Sequence, residues 1–270
     1  MIKEFFLPSR GIYYRINEFQ DDRPTLVFIH GLSGSSSAWL EYEKEFEKKY
    51  NLVFFDLRGH GKSLRFPKYK DYEIANFADD LCELISRLKI EKFVLISHSF
   101  GALVALEFLT KHQDKVMAAV FLSPSFSVKN RKAALVIRPL LAAAKLFDLI
   151  PYSSKAGGHV DYSKYKNTGD WNIRRTIADS FNTGLRSYLF SARQTYKVDY
   201  ENFLEKIKMP VLLVHGKKDT IFPAENSIIM SQKIKNSKII FLDKADHIVV
   251  LNNFSEVSEI IDDFIRGNMV

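Results

Sequence analysis

Phe93-Val94-Leu95-Ile96-Ser97-His98-Ser99-Phe100-Gly101-Ala102 joins a short apolar run to the start of a helical pattern, with a serine at the junction. The run from Lys92 to Ile96 has no polar alternation, as expected of a strand covered on both faces. A helical pattern from Ala102 to Leu109 follows directly. A serine on a sharp strand-to-helix turn is the setting of a nucleophile elbow. The two backbones approach closely there, so the residues two before and two after the serine must be small. Gly101 meets that need, and Ser97 stands where the usual pattern has glycine.

Comparable runs lie on either side. Gly11 to Phe19 has strand character. Thr25 to Ile29 ends in His30-Gly31, Asn51 to Phe55 ends in Asp56, and Val116 to Leu122 closes the first half. Between them, Glu73 to Leu88 places Ile74, Phe77, Ala78, Leu81, Leu84, Ile85 and Leu88 on one helix face. Strand and helix in alternation predict an α/β fold, a mostly parallel sheet flanked by helices. The alternation stops near Ser125. The next 75 or so residues carry helical stretches and a loop at Gly157-Gly158, without a clear buried strand. It resumes with Val211 to Val214, a helix near Asn226 to Ile234, and Lys238 to Leu242. A last helix follows, with Ser255 as its expected N-cap. The expected organisation is a core of residues 1–124 and 201–270 with a helical insertion over 125–200.

Composition is that of a globular chain: 270 residues, 46% hydrophobic and 26% charged. The single cysteine, Cys82, cannot form an internal disulfide and reads as a small core residue. The apolar start, Ile2 to Leu7, is too short for a signal peptide. The longest apolar stretch, Ala133 to Ile150, is broken by Arg138, Pro139, Lys145 and Asp148, which makes a poor membrane span. A cytoplasmic, soluble protein is expected. The net charge of +7 is concentrated: residues 126–200 hold 13 Lys and Arg against 5 Asp and Glu. Pro139 is expected to kink any helix formed there.

A serine hydroxyl needs a base before it attacks anything. His247, in Lys244-Ala245-Asp246-His247, follows the last apolar run and so falls at the carboxyl end of a strand, where α/β folds place their sites. Asp219 follows Val211 to Val214 in the same way and is the expected carboxylate for His247. Asp243 and Asp246 are alternatives closer in sequence, but Asp246 abuts His247 and a neighbouring residue rarely has the reach to bond its imidazole. The chain order Ser99, Asp219, His247 suits a Ser-His-Asp triad on this kind of sheet. His30, His60, His98 and His215 read as supporting or turn-forming residues, whereas His112 and His159 carry no signal. Asp56 and Arg58 are expected to fix a tight turn through local hydrogen bonds. No metal-ligand spacing and no phosphate-loop pattern is present, so neither a metal nor a nucleotide or nucleic-acid partner is expected.

Taken together, His30-Gly31, Asp56-Leu57-Arg58-Gly59-His60-Gly61-Lys62-Ser63, Ser97 to Gly101, Gly216 with Asp219, and Asp246-His247 resemble the α/β-hydrolase superfamily, in its branch of cap-bearing serine esterases and lipases. The resemblance implies an acyl-enzyme on Ser99, no cofactor, and an oxyanion hole from the backbone N–H groups of Leu32 and Phe100. It makes 125–200 a cap, whose Trp171 and Phe181 could wall an acyl pocket or merely hold the cap together. A small-molecule carboxylic ester is the expected substrate. Thioesterase, carbon–carbon bond hydrolase, perhydrolase and acyl-carrier-linked ester hydrolase readings share the same triad, and a non-catalytic binding protein is the rival outside enzymes. The elbow serine argues against epoxide hydrolases and haloalkane dehalogenases, which use aspartate. The basic insertion, with Arg174, Arg175 and Arg186, has two readings: a solvated surface, or an attraction for an anionic substrate or acidic acyl carrier.

Overall fold

The computed structural model describes residues 2–128 and 149–268. Eight strands form one sheet: β1 (Lys3–Leu7), β2 (Ile12–Ile16), β3 (Thr25–Ile29), β4 (Asn51–Phe55), β5 (Phe93–His98), β6 (Val116–Leu122), β7 (Val211–Gly216) and β8 (Ser237–Leu242). Their order is β1-β2-β4-β3-β5-β6-β7-β8. The pairs β1–β2 and β2–β4 are antiparallel, and all others are parallel. The sheet is thus mostly parallel, as the apolar runs require. β1 was not anticipated: it is an edge strand whose Phe5 and Phe6 are exposed.

Helices cover both faces because successive strand residues point opposite ways. Val27, Ile29, Leu95, Phe121 and Leu213 pack with α2 (Ile74–Arg87) and α3 (Phe100–His112). Their chain neighbours Leu26, Phe28, Val94, Ile96, Val120, Leu122 and Leu212 pack on the other side with α1 (Leu40–Phe46). The last helix also lies on that side, with Val257, Ile261 and Ile265 buried.

Between β6 and β7 the described residues form α4 (Ile173–Thr183), α5 (Leu185–Thr195) and α6 (Glu201–Leu204). The chain leaves and returns at one place, where Ser127 pairs antiparallel with Asp199 and the Tyr200 N–H donates to Phe126 O. The expected kink at Pro139 lies outside the described residues. After β7 come α7 (Glu225–Lys233), α8 (Val249–Asn252) and α9 (Phe254–Asn268). Ser255 is not the N-cap of the last helix. It lies inside the first turn, because the chain already turns into helix at Asn253, whose carbonyl accepts from Val257 N–H. Among the described residues no helix is long and apolar enough to cross a membrane.

Arg58 does not serve a local turn, contrary to expectation. Its Nε and Nη2 donate to the two carboxylate oxygens of Asp80 on α2, at 2.7 and 2.6 Å, and Nη1 donates to Asp71 O. Both partners are buried. Burial raises the Asp80 pKa against the opposing pull of Arg58. A fork-to-fork pair of this kind holds the 57–63 loop against α2, and losing one member strands the other charge in the interior. Asp80→Ala is expected to lower the unfolding free energy by about 3–5 kcal/mol, read from urea denaturation. A change below about 1 kcal/mol, the range of an exposed pair, would contradict this account.

Candidate active site

The site starts from a backbone conformation. Ser99 has φ 54° and ψ −118°, between the end of β5 and the first residue of α3. This sparsely populated region persists only when the surroundings enforce it. They do so through close packing: a Cβ at position 101 would stand 2.7 Å from His30 O and 2.8 Å from Ile29 O. Glycine at 101 therefore lets α3 press onto the end of β3. Ser97, in the usual glycine position, is fully buried.

Three side chains predicted far apart in sequence meet here. His247 Nε2 lies 2.7 Å from Ser99 Oγ, and His247 Nδ1 lies 2.7 Å from Asp219 Oδ2. With the Nδ1 proton donated to the carboxylate, Nε2 is free to accept from the serine hydroxyl. Ser99 and His247 are buried, at 7% and 4% exposure, so solvent screens this chain of bonds little. Asp219 Oδ1 accepts from the backbone N–H groups of Ile221 and Phe222 at 2.8 and 2.7 Å. Burial pushes the Asp219 pKa up, but bonds from His215 and His247 outweigh it and hold this carboxyl well below the usual range. Asp246 is turned elsewhere, accepting from Ile248 N–H and Asn252 Nδ2.

The supporting histidines each have a defined partner. His98 donates from Nε2 to His247 O, and burial together with the adjacent His247 lowers its pKa to about 3, so it stays neutral. His215 bonds Ser227 Oγ and Phe222 O while its Nε2 stands 3.1 Å from Asp219 Oδ2. His30 Nε2 accepts from Leu57 N–H. Phe100 opens α3, so its amide has no partner within the helix. Leu32 follows Gly31, where a Cβ would lie 3.3 Å from Ser99 Cβ.

Two further carboxylates complete the site: Asp56, which holds its own turn as expected, and Asp170. Asp56 binds Ser36 N–H and Lys62 N–H, at 2.7 Å each, and takes a third bond from His159 Nε2 at 2.8 Å. His159, read as carrying no signal, ties the β6–β7 segment to the loop that follows β4. Burial raises the Asp56 pKa, but the bond from His159 and the other donors hold it at about 2. Asp170, which sequence reasoning missed, reaches from the same segment to the loops that carry Asp219 and His247. Its Oδ1 accepts from His247 N–H at 2.7 Å, and Oδ2 accepts from Thr220 N–H at 2.9 Å and Thr220 Oγ1 at 2.7 Å. Asp170 itself is buried.

The remaining expected residues sit further out. Trp171 is 72% exposed and donates from Nε1 to Thr220 Oγ1. Phe181 is 81% exposed, beside a groove of about 380 Å³ that also includes Arg65, Phe66, Tyr152 and Leu185. Of the three arginines expected on a basic surface, Arg175 is buried and donates to Asp170 O and Thr168 Oγ1, so it is structural. Arg186 lies over the rings of Tyr152 and Phe190. Arg174 is exposed.

The sequence pattern described as alpha/beta hydrolase fold matches residues 24–254. The chain belongs to the α/β-hydrolase family. It is similar to proline iminopeptidase PfmaB of Pestalotiopsis fici, at 23% identity over 85% of this chain and 87% of the relative. Monoacylglycerol lipase ABHD6 of Rattus norvegicus is 25% identical over 91% of this chain and 76% of its own length. The crystal structure of the enol-lactonase from Burkholderia xenovorans LB400 superposes with TM-score 0.75, at 20% identity, covering 94% of this chain and 96% of that one. These relatives are named for different bonds, so membership fixes the fold and leaves the substrate to the site.

Asp170 grips the loops of Asp219 and His247 at once, and misplacing a reacting group by a fraction of an ångström is costly. Asp170→Asn puts an amide N–H against the Thr220 donors. It is expected to lower the hydrolytic kcat by about tenfold to a hundredfold while KM moves little. An unchanged kcat in a normally folded variant would sink this role.

Proposed function

We propose that the protein is a carboxylic-ester hydrolase that acts through an acyl-enzyme on Ser99. The observation that carries this reading is the continuous hydrogen-bonded chain from Ser99 Oγ through His247 to Asp219. Ser99 Oγ attacks the ester carbonyl carbon as His247 Nε2 takes its proton. The carbonyl oxygen becomes an oxyanion, stabilised by the N–H groups of Leu32 and Phe100, and aimed donors of this kind typically supply the largest catalytic contribution. The carbon–oxygen bond to the alcohol breaks, and His247 returns its proton to the departing oxygen. Water then enters, loses a proton to His247 and attacks the acyl carbon. Ser99 leaves with that proton and the carboxylic acid is released. No step calls on a cofactor. Asp219 keeps the imidazole in the Nδ1–H tautomer and offsets the charge of the imidazolium.

In this reading residues 125–200 form a cap over the carboxyl ends of the strands. The bonds from His159 to Asp56 and from Asp170 to the catalytic loops support that assignment. A small-molecule ester is the substrate class, and the lipase name among the relatives supports it.

Ser99→Ala is expected to fold normally and to lose kcat/KM for p-nitrophenyl acetate by about four orders of magnitude or more. Asp219, held well below the usual carboxylate range, stays ionised throughout the assay range. Turnover of Ser99→Ala within tenfold of wild type would refute the acyl-enzyme.

A further inference from the structure

Helix α4 is turned inside out. Arg175, Asp179 and Thr183, spaced four apart, form its buried face. Ile173, Ile177 and Phe181, spaced the same way on the opposite side, are 73%, 50% and 81% exposed. The inward face is occupied by specific bonds: Arg175 to Asp170 O, Asp179 accepting from Tyr162 Oη, and Thr183 Oγ1 to Ser33 O. Those contacts fix the rotation of the helix and force the apolar stripe outward. Trp171 before α4 and Leu185 after it, 72% and 53% exposed, extend the stripe at both ends. A contiguous apolar ridge of this kind marks an interaction surface.

The charge around it selects the partner. Arg174 is exposed beside the ridge, and Lys155 is exposed in the same segment, whereas the exposed Lys164 and Lys166 face Asp161 and Glu41 at 3.5 and 3.9 Å. The whole chain carries +7. A second copy would bring two basic surfaces together, which opposes association, whereas an anionic lipid surface accepts both the apolar side chains and the cations. We propose that α4 and its flanking residues dock the protein on the surface of an anionic bilayer, with Trp171, Ile173, Ile177, Phe181 and Leu185 entering the headgroup boundary. This goes beyond the esterase reading and does not depend on it.

The two tryptophans make the test direct. Trp39 is fully buried and Trp171 is exposed, so a change in emission on adding vesicles reports Trp171. The full chain is titrated with vesicles of dioleoylphosphatidylglycerol mixed equally with dioleoylphosphatidylcholine, and with vesicles of the latter alone. Flotation measures bound protein, and light scattering measures oligomeric state. The expected result is a blue shift and co-flotation with the anionic vesicles, about tenfold or more weaker on the neutral ones. Added salt weakens it, and Ile173→Asp/Ile177→Asp abolishes it with an unchanged thermal midpoint. Equal binding to neutral vesicles, or none to either, overturns the proposal. So does a wild-type dimer that the double variant converts to monomer. If the double variant fails to fold, Phe181→Ser replaces it under the same criteria. None of these readouts uses turnover, so they stand apart from the test of Ser99.

Discussion

A serine held at φ 54° is the constraint from which the rest of the site follows. The strained backbone turns the Ser99 side chain away from the sheet, and it survives because β3, β5 and α3 leave no room for relaxation. Position 101 shows the tightness: any Cβ there would strike the carbonyl oxygens of Ile29 and His30. The same packing brings Gly31 against Ser99. One local departure from ordinary backbone geometry therefore sets where the Ser99 hydroxyl meets His247.

Buried carboxylates do the corresponding work for the loops. Asp219, Asp56 and Asp170 each accept three or more hydrogen bonds, mostly from backbone N–H groups of loops that no strand or helix restrains. A carboxylate is suited to this because it has several lone pairs and no donor of its own. Asp219 organises the imidazole. Asp56 joins the loops after β3 and β4 to His159. Asp170 joins the loops after β7 and β8 to the residues before α4. The segment between β6 and β7 is thereby bonded into the site from two sides, which also explains why α4 presents its polar face inward.

Much of this was legible in the sequence. A strand buried on both faces reads as an unbroken apolar run, and β3 through β8 were found that way, with Val116–Leu122 matching to the residue. Ser99, His247 and Asp219 were legible because each follows such a run, so the sheet itself predicts that they converge. What escaped notice lacked periodicity or local context. β1 is an exposed edge strand, and its apolar residues carry no alternation that distinguishes it from a free terminus. The partner of Arg58 lies 22 residues away on α2, that of His159 lies 103 away, and that of Asp170 lies 77 away, so no spacing rule links them. Ser255 has the chemistry of an N-cap, but Asn253 and the preceding short helix settle where α9 starts. The exposure of Phe181 follows from the polar bonds of Arg175, Asp179 and Thr183, which turn the opposite face of α4 outward.

The central claim is that Ser99 is a nucleophile activated by His247. Its most direct test is intact-mass and peptide-mapping spectrometry of the wild-type chain after exposure to diethyl p-nitrophenyl phosphate, which phosphorylates activated serines. The account predicts one diethylphosphoryl group per chain, located on Ser99, formed rapidly in the wild type and only very slowly in His247→Ala. Labelling at another residue, or equal rates with and without His247, would contradict it.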